Sequence, residues 1–395
     1  MNSILVINGG SSSIKFALYK IEGSLKQSCR GEIENIGTEN AKLNVTNDNS
    51  LQKDAISIKA DNYDEAADFL IGWIEKQKDF GSITAIGHRI VHGMKHTKPE
   101  KITPELLSEL EKISVYDPEH LPEEIRLIEI FQQHYSALPQ VACFDTSFHS
   151  SMPIVAKLLP IPRKYFSVGI QRYGFHGLSY SYLVKELHKL SGGKSGKEKI
   201  ILAHLGNGAS LAAIKDGKSI DTSMGFTPTA GIPMSTRTGD LDPGVASYLM
   251  QEEKLNTKQF NHLVNHESGL LGISETNSDM RELLKTQKSD NRAAEAVELF
   301  CYQTKKWIGA YAAALGGLDE LVFSGGVGEN APEIRERAVQ GLRFLGIELD
   351  EKRNANNEKI ISSDKSKVVV RVIKTNEELM IAILVCDVLN YSIEQ

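Results

Sequence analysis

Two stretches about half a chain apart carry one pattern: an apolar strand, a small polar turn and a second apolar strand. The first runs Ile4-Leu5-Val6-Ile7-Asn8-Gly9-Gly10-Ser11-Ser12-Ser13-Ile14-Lys15-Phe16-Ala17-Leu18; the second runs from Ile200 to Leu205, across Gly206-Asn207-Gly208, and on to Ile214. Recurrence at that distance points to two similar sheet-based domains rather than a short-period solenoid. The likeness is of pattern and not of identical residues, so two unrelated hairpins stay open as the alternative.

The first turn reads in two ways. Its glycines let backbone N–H groups approach an anion, the hydroxyls of Ser11, Ser12 and Ser13 add donors, and Lys15 adds a point charge, all of which suit phosphate. A Gly-Ser turn between two strands is also a plain hairpin, and taken alone that is the stronger reading.

Between and beyond the hairpins the apolar spacing changes to three and four. It predicts helices over Tyr63 to Lys78, Pro104 to Lys112, Ile125 to Tyr135 (opened by Pro122-Glu123-Glu124), Asp290 to Leu315 and Pro332 to Leu342, with a strand at Leu321 to Phe323. Leu187 to Glu198 and Asn354 to Lys367 read as exposed loops. Helices alternating with strands favour α/β layering, and 395 residues suit two domains.

A hydrophobic fraction of 41% and a charged fraction of 24% are those of an ordinary globular chain. The net charge of −6 with no basic stripe argues against nucleic acid as a partner, so an anionic substrate needs a locally positive cleft. Cys29, Cys143, Cys301 and Cys386 form no CxxC pair, which argues against a disulfide framework or metal cluster and for reduced thiols in the cytoplasm. No signal peptide and no apolar run of about 18 residues is present, so neither secretion nor membrane insertion is expected.

Several constellations could carry chemistry. Gly326-Val327-Gly328 with Ala331, after a strand and before a helix, fits the dinucleotide fingerprint, and Glu348 and Asp350 lie about 20 residues on. An NAD-dependent dehydrogenase is therefore a rival, weakened because too little chain follows for further βαβ units. Arg89 in Gly87–Gly93 and Arg237 in Ser235–Asp240 could grip a carboxylate or phosphate, or serve in ordinary ion pairs. His88, His92 and His96 lack the helical HExxH context of a zinc site. His120, His149 and His176 stand in turn-rich segments. Asp145 and His176 allow a Ser-His-Asp hydrolase, but no G-x-S-x-G elbow occurs. Asp279-Met280-Arg281 and Glu377 complete the polar residues at expected element ends.

Read in order, the segments 8–15, 87–93, 144–149, 173–177, 204–208, 236–242, 279–281, 325–330 and 375–378 closely resemble the acetate kinase family, over about residues 4 to 380. The resemblance implies a duplicated ribonuclease-H-like α/β fold of the acetate and sugar kinase, Hsp70 and actin superfamily, with the nucleotide in an interdomain cleft. The expected domains are 1–149 plus 383–395, and 150–382. It also implies reversible transfer of the ATP γ-phosphoryl group to acetate, giving acetyl phosphate and ADP, with Mg2+ or Mn2+, in a cytoplasmic homodimer without nucleic-acid or membrane partners.

Carried over by motif, Arg89 would hold the acetate carboxylate, Arg237 and His176 would stabilise the transferring phosphoryl, and His120 would help bind it. Asp145 would take the catalytic acidic role. Asn8, Ser11, Ser13 and Lys15 would contact the phosphate or its metal, with Asn8 and Glu377 on the metal side. His204, Leu205, Gly206, Asn207 and Gly208, then Asp279, Met280 and Arg281, then Gly326, Val327, Gly328, Glu329 and Asn330 match the ATP-binding loops. Gly326 and Val327 leave room for adenosine, which favours ATP over pyrophosphate. Val91, Phe175 and Pro228 match the acyl pocket. The family usually reads Pro-Leu-His-Asn-Pro where this chain has Pro118-Glu119-His120-Leu121-Pro122, and Ser235 replaces a common glycine. A propionate or other short-chain carboxylate kinase therefore remains the nearest alternative, with the dehydrogenase and a non-catalytic nucleotide-binding regulator further off.

Overall fold

The Ile4–Leu18 pattern folds as an antiparallel hairpin of β1 (Asn2–Gly10) and β2 (Ser13–Glu22), in a register that sets Asn8 opposite Lys15 and Gly10 opposite Ser13. The computed structural model describes residues 2–10, 12–47, 53–77, 80–192 and 198–394. Ser11 lies outside the described residues. The chain divides into two compact units, one of Met1–Ser147 with Asn376–Gln395 and the other of Phe148–Thr375.

In the first unit the hairpin continues through β3 (Ser24–Glu34), β4 (Lys42–Asn47) and β5 (Lys53–Ser57), followed by β6 (Ile83–Ile90), β7 (Glu100–Lys101) and β8 (Gln140–Phe144). These join in the order β5-β4-β3-β2-β1-β6-β8-β7, with β1, β6 and β8 parallel. In the second unit, β9 (Lys199–Leu205), β10 (Ala209–Lys215), β11 (Lys218–Thr222), β12 (Glu320–Ser324) and β13 (Val369–Val372) join as β11-β10-β9-β12-β13, with β9, β12 and β13 parallel. Both sheets thus have the same five-strand plan: a three-strand antiparallel meander whose first strand pairs with a parallel strand, which in turn pairs with a second parallel strand, both reached by crossovers. The second sheet lacks the run of successive parallel βαβ units that a dinucleotide fold needs.

The strands read as they bury. All five residues of β8 are buried, as are six of the seven in β9, as suits strands covered on both faces. In the first unit Leu5, Ile7, Ile14 and Phe16 pack with Leu70 and Ile71 of the helix Tyr63–Ile74, whose Asn62 cap accepts the Glu65 N–H. Each such buried side chain contributes about 1.5–3 kcal/mol. The helix Glu377–Leu389 is apolar on nearly every side, and Ile381 and Val385 lie so close to Gly87 on β6 that a Cβ there would stand 2.6–2.7 Å from their methyl carbons. That contact keeps the whole helix with the first unit, whereas a boundary at residue 382 would cut it.

Several element ends differ from the sequence reading. The third helix runs Leu121–His134 with Pro122, Glu123 and Glu124 in its first turn, as their order in the sequence predicts, and it ends one residue before Tyr135. The first helix ends at Ile74, and Lys78 lies outside the described residues. The helix Gly177–Leu190 occupies the start of the expected Leu187–Glu198 loop, since Leu187 is buried on the sheet. Asn354 to Lys367 is not merely an exposed insertion: Ile361 is fully buried, its N–H donates to Val370, and Ser362 bridges to Leu349.

Candidate functional site

In the first unit the end of β1, the end of β6, the turn after β8 and the start of the helix Glu377–Leu389 meet. Arg89 donates from Nε (3.1 Å) and Nη2 (2.6 Å) to Asp145 Oδ2, and from Nη1 to Asn8 Oδ1 (3.5 Å) and the Gly9 carbonyl (3.4 Å). Asn8 Nδ2 donates to Glu377 Oε2 at 3.4 Å and to Glu378 Oε1 at 3.2 Å. The Tyr63 hydroxyl, from its helix, pins the hairpin turn through the Gly10 and Ser13 carbonyls. Arg89, Asn8, Asp145 and Glu377 therefore share one place, with Lys15 across the hairpin from Asn8.

Electrostatics there are finely opposed. Burial works against the Arg89 charge, but Asp145, Glu377 and Glu124 outweigh it and hold the guanidinium firmly protonated. Glu377 is only half-buried by exposed area, yet crowding by protein pushes its carboxyl up to about 7 against the pull of Arg89, with Asp145 and Glu378 adding to the rise. His120 ends the loop before the helix Leu121–His134, and its Nδ1 lies 2.8 Å from Asp117 Oδ1, which orients the ring. Val91, just past β6, is buried. Glu119 is half-buried and lies near enough to Glu123 to help raise that carboxyl, after burial.

In the second unit His176 opens the helix Gly177–Leu190 with φ of 58°, a left-handed backbone uncommon for a non-glycine residue. Its ring stacks on His204 with centroids 4.3 Å apart, and its Nδ1 lies 2.8 Å from Ser210 Oγ. His204 Nδ1 lies 2.8 Å from Ser179 Oγ. The buried His149 ring lies 3.0 Å, through Nε2, from the Phe175 carbonyl, steadying the approach to His176. The turn after β9 holds neighbours on two sides: Ser235 N–H donates to Asn207 O, and a Cβ on Gly325 would fall 2.7 Å from the Leu205 carbonyl. Gly325 has φ of +78°, so both space and backbone there require glycine. Arg237 donates through Nη1 to the Pro228 carbonyl at 3.3 Å.

The unit thus gathers His176, His204–Gly208, the Pro228–Arg237 loop and the helix Gly325–Asn330. Asp279 and Arg281 instead pair with each other at 2.5 Å on the surface, Asp279 capping the helix Met280–Thr286. Sequence reasoning missed Tyr63, Glu124 and Arg335. Arg335 is fully buried and donates to the Gly328 and Glu329 carbonyls and to Asn354 and Asn357. Nothing in the local pattern marks these three, because each acts through a partner distant in sequence. Among the described residues no group of three or more His, Cys, Asp or Glu side chains forms a metal cluster, and no helix is long and apolar enough to cross a membrane.

Two copies of one five-strand plan, each with a glycine-bearing turn after its first strand, define a two-domain α/β protein of the duplicated ribonuclease-H-like class. A family model described as the acetokinase family matches residues 3–383, and the chain belongs to that family. The acetate kinases of Rhodopseudomonas palustris and Thermoanaerobacterium thermosaccharolyticum are 42% and 43% identical to it, covering 96% of this chain and 96% and 97% of theirs. Among solved structures, Porphyromonas gingivalis acetate kinase matches with a TM-score of 0.87 at 37% identity, over 98% of this chain and 100% of that one. A propionate kinase from Francisella tularensis matches with a TM-score of 0.90 at 38% identity, over 97% and 99%.

Proposed function

We propose that this protein is an acetate kinase, transferring the γ-phosphoryl group of ATP to acetate and catalysing the reverse reaction. The observation that carries the reading is the largely buried Arg89 guanidinium, fixed by Asp145 beside Asn8 and Glu377, in a chain of the acetokinase family.

Acetate is ionised at neutral pH, like the carboxylates of Asp and Glu, so its attack needs no strong base. The difficulty is bringing one anion against another. Arg89 offers the acetate carboxylate a fixed guanidinium, and Asp145 keeps that group aimed. Arg237 and His176 stabilise the charge of the transferring phosphoryl, with His120 assisting, so positioning and electrostatics supply most of the rate. Ser13, Lys15 and the neighbouring Ser11 bind the phosphate. His204–Gly208, Asp279–Arg281 and Gly326–Asn330 bind the nucleotide. Val91, Phe175 and Pro228 line the acyl pocket.

Mg2+ or Mn2+ fits the donors on hand. Asn8 and Glu377, with Glu378 alongside, offer the oxygen atoms that a hard cation takes directly or through water, and such an ion typically needs only one or two protein carboxylates besides phosphate. When bound, the cation screens the triphosphate from Glu377 and Asp145. Five apolar side chains between Ile154 and Val168 stay exposed, which supports a homodimer, and four free cysteines suit a reducing cytoplasm.

Acyl phosphate trapped as the hydroxamate, from ATP with acetate, propionate or butyrate in parallel, tests the reading. The expected result is acetyl phosphate as the favoured product, dependent on Mg2+. Faster turnover of propionate would move the assignment to a propionate kinase, and nucleotide binding without any acyl phosphate would make the protein a regulator.

A further inference from the structure

Glu124 lies in the first turn of the helix Leu121–His134, where a carboxylate ordinarily faces water and the positive helix end. Here it is 4% exposed. Its Oε2 accepts the Val91 N–H at 2.9 Å, and its Oε1 has no hydrogen-bond partner. A buried carboxyl half-satisfied in this way is costly unless it serves a neighbour.

Its neighbour is the acceptor arginine. Three successive residues at the end of β6 are each tied down: Arg89 by the Asp145 carboxylate, Ile90 through its carbonyl by the Asp145 N–H at 2.9 Å, and Val91 through its N–H by Glu124. Asp145 thus holds two of the three and Glu124 the third. We propose that Glu124 is a positioning residue for the carboxylate acceptor, holding the Val91 amide and with it the end of β6 that carries Arg89. The proposal rests on the acetate kinase reading.

Charge state decides how well Glu124 can do this. Arg89 from β6, Asp117 from the loop before the helix, Asp145 from the turn after β8 and Tyr63 from its own helix all bear on it. An ionised Glu124 would place a further anion among Asp117 and Asp145 and compete with substrate for Arg89. Burial, opposed by Arg89 and the Val91 amide, pushes the carboxyl up to about 8, so it is neutral at pH 7 and still accepts the amide hydrogen bond.

Steady-state kinetics of the full-length enzyme with Mg2+, followed by ADP release, test the proposal on wild type, E124Q and E124A from pH 6.5 to 9.5. Wild type should show a KM for acetate that rises about tenfold between pH 7 and 9 as one group ionises. E124Q keeps an acceptor for Val91 without an ionisable proton; its KM should stay within about twofold of wild type at pH 7 and remain flat into alkali. E124A should raise the KM for acetate about tenfold at pH 7 while the KM for ATP and kcat change by less than about threefold. An E124Q profile with the same alkaline rise, or an E124A variant with wild-type acetate KM, overturns the proposal. If E124A does not fold, the E124Q profile decides alone. An inactive wild type overturns the kinase reading and this proposal together, whereas an active wild type with the wrong profiles overturns only this one.

Discussion

Arg89 turns Nε and Nη2 onto a single oxygen of Asp145, at 3.1 and 2.6 Å, and leaves the other oxygen, Oδ1, buried without a hydrogen-bond partner. Its third nitrogen, Nη1, makes only long contacts of 3.4 and 3.5 Å. The guanidinium is therefore anchored by one edge while its other edge is held loosely, a geometry suited to exchanging weak contacts for a substrate carboxylate.

Removing the anchor should be severe. Asp145→Ala takes from a largely buried cation the carboxylate hydrogen-bonded to it and is expected to cost about 3 kcal/mol of stability in urea unfolding. Acetyl phosphate formation should fall at least a hundredfold, because misplacing a positioning group by about 1 Å has that effect. Stability and turnover within error of wild type would refute the anchoring role.

Arg237 donates through Nη1 to the Pro228 carbonyl at 3.3 Å, which sets its guanidinium beside the loop proposed for the acyl pocket. Arg237→Ala should lower kcat by about a thousandfold with a small change in either KM, as expected for a group that acts on the transferring phosphoryl. A loss below tenfold would count against that role.

Arg335 has no carboxylate among its hydrogen-bond partners, and burial lowers its pKa to about 10. Its donors hold the Gly328 and Glu329 carbonyls, so it supports from behind the turn proposed to bind the nucleotide. Arg335→Met would strand those acceptors and should cost about 3 kcal/mol or more. The KM for ATP should rise about tenfold with that for acetate unchanged, which separates loop support from general damage. Equal rises in both would argue for global loosening.

His88 points from β6 into the core, 2.7 Å from Gln140 Oε1, and burial pulls its pKa down from 6.5 to about 4. Its folded pKa is depressed, so between pH 6.5 and 4 the unfolded chain binds the proton that the folded one refuses. The contribution is complete above 6.5 and is lost as pH falls through that window. Stability should drop by about 1.5 kcal/mol from this group between pH 6.5 and 5. His88→Gln should flatten that part of the acid limb in urea titrations, and an unchanged limb would show that His88 is not its source.

Both hairpins were legible because each depends on neighbours in the chain: alternating apolar residues, a small turn, a second strand. The repeated plan followed from them, whereas the family was read from the nine motifs in their order. Tyr63, Glu124 and Arg335 were not legible, since their partners lie 53, 33 and up to 22 residues away. Glu124 reads locally as a helix-start carboxylate, and only the folded chain shows it facing Val91. The Asn354–Lys367 segment is polar in composition yet buries Asn354 and Ile361, because Asn354 serves as partner to an arginine that no local signal marks as buried. Pro122-Glu123-Glu124 was legible as a helix opening, because a proline and two carboxylates suit a first turn whatever the rest of the fold.

The first unit is made from two separated lengths of chain, and its closing helix, Glu377–Leu389, carries Glu377 to Asn8. A ribosome finishes the intervening unit before it makes that helix. The nascent first unit therefore waits with Ile381 and Val385 not yet seated against Gly87, and with Arg89 lacking Glu377 as one of its carboxylate neighbours. On the proposed reading, the acceptor side of the site is completed by the last helix of the chain, after the turns proposed for the nucleotide have been translated.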